Sequence, residues 1–327
     1  MIAEAGAAVA GGRGLVQPSG LVIVAKSAGM TSHDVVAKIR KLAGTRRVGH
    51  AGTLDPMATG VLVVGIEKAT KLLGYLTLTE KDYSATIRLG QSTVTDDAEG
   101  EVQPQADRTV NPATISEEAL RAALGALTGE IKQVPPKVSA IKVKGQRAYH
   151  LTRSGAAPEL TARTVTIWRL DLVAVRPAGD LLDIDVEVTC SSGTYIRAIA
   201  RDLGAALGTG GHLTALRRTR VGPYGIDVAR SLDELADRFE LIPLARAAAE
   251  AFPVVHLDER ETRLLSHGVR LPAPAHISTS RMAHLIEAAD PASAGPTPIA
   301  AFGPDGSLIA LVAEQDSELQ PLAVFLP

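Results

Sequence analysis

Residues 181–190 read LLDIDVEVTC, and that alternation constrains the fold more than any other stretch. Leu182, Ile184, Val186 and Val188 fall on one side of an extended chain; Asp183, Asp185, Glu187 and Thr189 fall on the other. One apolar and one polar face is the pattern of an antiparallel sheet wetted on one side, since strands of parallel sheets are covered on both and read as unbroken apolar runs. Directly afterwards SSGTYIRAIARDLGAALG (191–208) turns and takes on a helical stripe of Ile196, Ile199, Ala200 and Leu203. LVIVA (21–25), VLVVG (61–65) and YSATIRLG (83–90) read as further strands. Residues 29–44 read as a helix with Thr31 or Ser32 as its cap, Val35, Val36, Ile39 and Leu42 inward, and Gly44 at its end. Residues 116–128 read as another, capped by Ser116 and acidic in its first turn. Strands and helices mix without a βαβ beat, so the expected class is α+β with a largely antiparallel mixed sheet.

A chain of 327 residues, 46% hydrophobic and 21% charged, can bury a sizeable core and has room for two domains. Composition shifts through the Ala-rich LARAAAEAFP near 245–253. Beyond it, short apolar runs such as PIAAFG and LIALVA sit among Pro and Gly, which points to a small, mostly β C-terminal module. The expected division is a flexible tail over 1–19, a main domain over 20–247 and a C-terminal domain over 250–327. No run of eighteen apolar residues is present, and the N-terminus lacks the basic region of a signal peptide. Cys190 is the single cysteine, so no intramolecular disulfide can form, and no Cys/His cluster has zinc spacing. A reducing cytoplasm fits that usage.

The formal net charge is -2, which argues mildly against a nucleic-acid partner. The distribution of charge argues the other way. Lys38, Arg40, Lys41, Arg46 and Arg47 form one acid-free basic run. Lys132, Lys137, Lys142, Lys144, Arg147 and Arg153 form a second, and Arg217, Arg218 and Arg220 a third. Any one of these is most simply a solvated face; three in a net-acidic chain raise the weight of a phosphate-facing surface.

GHAGTLDPMATG (49–60) reads as a loop shaped around one acid, Asp55, with His50 the only other ionisable residue. An Asp before Pro commonly makes an Asx turn and nothing more. Gly49 and Gly52, which let backbone approach something closely, and the basic run just upstream shift the balance toward function. Arg197 sits where a strand passes into a helix, a common place to present a functional side chain, with Tyr195 two residues before it. By themselves Tyr83 reads as a sheet aromatic, Leu216 as core and Asp97 as a turn residue.

Five blocks together resemble the bacterial TruB family of tRNA pseudouridine synthases: GHAGTLDPMATG, KDYSATIRLGQSTVTDDAEGE, SAIKVKGQRAYHLTRSG, CSSGTYIRAIARDLG and GHLTALRRTRVGPY. Order and spacing agree from about residue 20 to 225, and the segment beyond 250 resembles by position the PUA-like RNA-binding module that often ends such proteins. One departure is Ser27, in AKSAGMTSHD, where the family usually has Pro; it loosens φ in the first loop.

The resemblance implies a pseudouridine synthase fold and isomerisation of a uridine in the tRNA T arm, at the nucleotide conventionally numbered 55. The uracil is detached at N1, turned and rejoined through C5, a redox-neutral change for which neither cofactor nor metal is expected. Asp55 takes the place of the family's catalytic aspartate, Arg197 of the cation that keeps it ionised, and Tyr83 of the tyrosine that stacks on the flipped base. Tyr195 and Leu216 match positions lining the uracil pocket, His50 a histidine near the flipped nucleotide, Asp97 an acid near the site, and Lys26 the lysine of the first-loop block, expected to bind substrate. Whether Asp55 attacks the sugar, attacks the base or removes a ribose proton stays open. The implied partner is the T-arm stem-loop, met by a cytoplasmic monomer with no membrane contact. A non-catalytic RNA-folding protein on the same scaffold, a glycoside hydrolase using Asp55 and Asp97, and a synthase with another RNA target are the competing readings.

Overall fold

The computed structural model describes residues 18–104, 109–136, 161–274 and 297–326, together with two-residue strands at 142–143 and 146–147. Nearly all of the expected N-terminal tail, and most of the block SAIKVKGQRAYHLTRSG, lie outside the described residues. The chain forms two compact units, one from the residues up to Thr79 and from Arg220 onward, the other from Glu80 to Thr219.

In the first unit, β1 (Gly20–Lys26) leads through a short loop into α1 (Ser32–Ala43), then β2 (Val48–Ala51) and β3 (Thr59–Ile66). β3 pairs antiparallel with both β1 and β2. α1 begins in a reciprocal capping box: the Thr31 hydroxyl accepts from the Asp34 amide while the Asp34 carboxylate accepts from the Thr31 amide. Gly44 caps its C-terminal end, and Arg40 and Lys41 in the last turn complement its dipole. Val35, Val36 and Ile39 face inward onto Val22, Val24, Leu62 and Val64 as expected, with Ala43 buried beside them and Leu42 only half-buried against the same core. Residues 49–51 and 59–60, read above as loop, are instead strand; only 52–58 is irregular. Pairing dictates it: Gly49, His50 and Ala51 pair with Gly65, Val64 and Val63, and Gly60 pairs with Lys26, a constraint that the Gly-rich composition conceals.

The second unit is built on β4 (Lys81–Leu89), α2 (Glu117–Ala126), β5 (Gly129–Gln133), β6 (Arg163–Ala178), β7 (Leu181–Cys190), α3 (Ile196–Ala206) and β8 (Gly211–Val221), whose last two residues fall in the first unit. Its strands lie in the order β8–β4–β7–β6–β5. β4 with β7, β7 with β6, and β6 with β5 are all antiparallel. β7 buries Leu182, Ile184, Val186, Val188 and Cys190 and leaves the intervening residues toward solvent, as its alternation predicts.

The C-terminal residues of the first unit form a five-stranded sheet from β9 (Val254–His256), β10 (Leu271–Pro272), β11 (Ile299–Phe302), β12 (Leu308–Gln315) and β13 (Glu318–Val324), in the order β9–β11–β12–β13–β10. One pair, β9 with β11, is parallel. Ala300, Phe302, Leu311 and Phe325 share an apolar core with Leu21, Ile23, Val61 and Val63. The architecture is α+β and largely antiparallel, with a small β sheet at the C-terminal end.

Candidate active site

Asp55 stands on the 52–58 segment, and the residues on either side of it are pinned. Leu54 is buried, its amide donating to Ser32 Oγ at 2.9 Å and its carbonyl accepting from the same hydroxyl at 3.2 Å. The Pro56 carbonyl accepts from the Gly29 amide at 2.9 Å and from Lys26 Nζ at 3.2 Å. The Asp55 carbonyl closes a turn by accepting from the Ala58 amide. Held this way between buried Leu54 and buried Ala58, the half-buried Asp55 side chain is presented by a backbone tied to β1 and α1.

Lys26, expected at the substrate, is buried and also donates to the carbonyls of Ser27 at 3.0 Å and Met30 at 2.6 Å. Its ammonium therefore ties the first loop to the Asp55 loop; Ser27 lies within that tie. Gly49 does let backbone approach something closely, and that something is the core: a Cβ there would touch Leu73 Cδ1 at 3.0 Å. His50, on β2, meets the ring of His33 edge-on, centroids 5.6 Å apart.

In the second unit, β4 buries Lys81, Tyr83, Ala85, Ile87 and Leu89 on one face. Tyr83 sits opposite Val188 of β7, and β8, which carries buried Leu216, is the neighbour on its other side. Tyr195 caps α3. Its main chain is gripped from both ends by one side chain: Gln133 Oε1 accepts from the Tyr195 amide at 2.7 Å, and Gln133 Nε2 donates to the Tyr195 carbonyl at 3.1 Å. Gln133 is buried at the end of β5 and carries no motif, so nothing in the sequence alone marks it.

Arg197, in the first turn of α3, is 5% exposed and pairs with Asp97, 2% exposed, at 3.3 Å between Nη1 and Oδ2. The same Nη1 donates to the Thr95 carbonyl at 3.0 Å. Asp97 Oδ1 accepts from Thr95 Oγ1 at 2.5 Å and from the Glu99 amide at 3.0 Å. Residues 93–101 form a loop, and reading Asp97 as a simple turn acid is incomplete: it is a buried counter-ion of Arg197. Breaking such a pair from one side costs about 3–5 kcal/mol, because a charge is left in low dielectric.

The third basic cluster needs a correction. Parity along β8 puts Arg218 on the same side as Leu216; it is 1% exposed, whereas Arg217 points outward. Arg218 is therefore no surface phosphate contact. Burial, reinforced by Arg218, pushes the Lys81 ammonium down to about 7. Lys38, Arg40, Lys41, Arg46 and Arg47 are exposed, as is Lys132. The rest of the second cluster has no described side chains. Among the described residues no group of three or more His, Cys, Asp or Glu could hold a metal ion, and no helix is long and apolar enough to cross a membrane.

Comparison with known proteins gives the family. Residues 40–196 match the family described as TruB family pseudouridylate synthase (N terminal domain). Residues 197–249 match the tRNA pseudouridylate synthase B C-terminal domain, and 286–326 the C-terminal domain of tRNA pseudouridine synthase II. A tRNA pseudouridine synthase B of Arthrobacter sp. (strain FB24) is 58% identical over 94% of this chain and 97% of its own. That of Thermobifida fusca is 56% identical over 94% and 98%. Among solved structures, the fold matches a chain of an H/ACA RNP bound to a substrate RNA containing 2'-deoxyuridine (TM-score 0.66, 24% identity, 94% of this chain and 85% of that one). It also matches a chain of a Cbf5-Nop10-Gar1 complex (TM-score 0.66, 25% identity, 94% and 84%). With identity above half along nearly the whole length, the chain belongs to the TruB family of pseudouridine synthases.

Proposed function

We propose that this chain isomerises a uridine in the T arm of tRNA to pseudouridine, with Asp55 as the catalytic carboxylate. The observation that carries the reading is the pinned loop: Ser32, Gly29 and Lys26 fix the main chain on both sides of one acid, an arrangement with a cost in buried polar groups that a plain turn does not require. Breaking a glycosidic bond builds positive charge at C1′, and an ionised carboxylate in a preset position stabilises that charge or reacts with it. Arg197 supplies the cation that keeps the acid charged. Tyr83 receives the uracil on its ring face, worth about 1–3 kcal/mol of stacking, against a cost of roughly a few kcal/mol for extruding a stacked base. Tyr195 and Leu216 border the base, and His50 the nucleotide beside it. The exposed cluster Lys38–Arg47 meets phosphates, and the C-terminal sheet adds RNA surface.

Incubation with unmodified tRNA followed by mapping at nucleotide resolution tests the assignment. One pseudouridine in the T loop is expected; modification elsewhere, or release of free uracil, contradicts it. The Tyr83 hydroxyl also helps move the proton from C5, and Tyr83→Phe separates that role from stacking. It should bind RNA normally and stall after glycosidic cleavage, and near-normal product formation would remove the hydroxyl from the mechanism.

A further inference from the structure

We propose that Arg201 is a positioning residue for this reaction, one guanidinium that fixes the supports of Arg197 and Tyr195 together, with Asp96 as its counter-ion. The proposal rests on the reading of Arg197 as part of the catalytic apparatus.

Arg197 and Arg201 are four residues apart on α3 and so share a face of the helix. Both find carboxylates on the 93–101 loop, and those carboxylates belong to consecutive residues. In extended backbone, neighbouring side chains point to opposite sides. Asp96 escapes this by taking the left-handed conformation, φ 61, which Asp tolerates better than most residues. Asp96 and Asp97 can then both turn toward α3. The Asp96 main chain is held as well, its carbonyl accepting from the Leu213 amide of β8 at 3.1 Å.

Each nitrogen of Arg201 reaches a different support. Nη1 meets Asp96 Oδ2 at 3.2 Å, on the loop that also supplies Asp97. Nη2 donates to the Val134 carbonyl at 2.8 Å, one residue past Gln133, whose amide grips Tyr195. Nε donates to Asp202 Oδ1 at 2.9 Å, on the helix itself. Loop, strand end and helix are therefore tied at one planar group. A lysine carries its three donors on one nitrogen and cannot span acceptors that Arg201 reaches from three separate nitrogens. Burial holds the Asp96 carboxyl above the usual aspartate range, with Arg201 and then Arg197 pulling the other way.

The test is steady-state kinetics on unmodified tRNA with Arg201→Gln, Arg201→Lys, Asp96→Asn and, in parallel, Arg197→Met. Arg201→Gln should lower kcat about tenfold with KM within about twofold, while the thermal midpoint moves by only a few degrees. Arg201→Lys should recover part of the loss and not all of it. Asp96→Asn keeps the tolerance for a left-handed backbone while removing the charge and one acceptor oxygen, so it should reproduce the kcat loss even if Arg201→Gln proves unstable. Unchanged kcat in Arg201→Gln and Asp96→Asn, or a loss residing in KM, would overturn the positioning role. If Arg197→Met is dead while these variants are normal, only the positioning claim fails. If Arg197→Met itself is fully active, the reading beneath it fails too.

Discussion

Lys81 and Arg218 put two cations on the buried face of the β4–β8 pair, and the lysine bears the cost. Burial is the larger cause of its lowered pKa, with Arg218 second; Cys190, its cross-strand partner, pulls weakly the other way. A lysine at about 7 in the folded protein against its ordinary 10.5 is charged in both states below pH 7, where the desolvation penalty is felt in full. Between pH 7 and 10 the folded state holds fewer protons than the unfolded one, so stability rises with pH by roughly 1.4 kcal/mol per unit. Lys81→Met should therefore be more stable than the parent at pH 6, by a margin that shrinks from pH 7 toward pH 9. A margin independent of pH in denaturant titrations would contradict this. Cys190 is pushed up to about 12 by burial, so its thiol is a poor nucleophile at neutral pH. Arg218 also shows what residue-level reading can miss. Counting charges marks Arg217, Arg218 and Arg220 as one patch, whereas strand parity, already visible in Leu216-Arg217-Arg218, separates the middle one from solvent.

Elements are placed by closer constraints than charge. α3 runs so near the start of β8 that Gly204 and Gly211 touch main chain to main chain; a Cβ on Gly204 would lie 2.2 Å from the Gly210 carbonyl carbon and the Gly211 nitrogen. Gly204→Ala gains about 1 kcal/mol of helix propensity, yet should lose stability by about 1–3 kcal/mol through overpacking and carry Arg197 and Arg201 out of place. An unchanged or raised urea midpoint would refute that contact. α1 was legible because its signals are local: Thr31 and Asp34 make the capping box, four apolar residues make the stripe, and Gly44 ends it. β7 was legible for the same reason. The support of Arg197 was not, since Asp97 lies a hundred residues before it and looks like one acid among several in TVTDDAEGE. Gln133, gripping Tyr195 across sixty-two residues, has no local signature at all.

On the scale of the whole molecule, class and antiparallel character followed from alternation, while the parallel β9–β11 pair joins segments more than forty residues apart and could not be read from either. The net charge of -2 conceals an exposed basic stretch at Lys38, Lys41, Arg46 and Arg47. If that stretch meets phosphates, log affinity for tRNA falls linearly with log salt, and Arg46→Gln reduces the slope by about one counterion. A flat plot, or a slope unmoved by the substitution, would remove the surface from the account. The central claim is chemical, and one comparison tests it most directly: tRNA affinity and pseudouridine formation for Asp55→Asn beside the parent. The substitution keeps size and one acceptor oxygen, exchanges the other oxygen for an amide donor and removes the charge. Binding within a few-fold of the parent, with product formation down at least about a thousandfold, or ~4 kcal/mol, is the expected result. Product formed at a rate close to the parent's would show that the carboxylate is not the group on which the reaction depends.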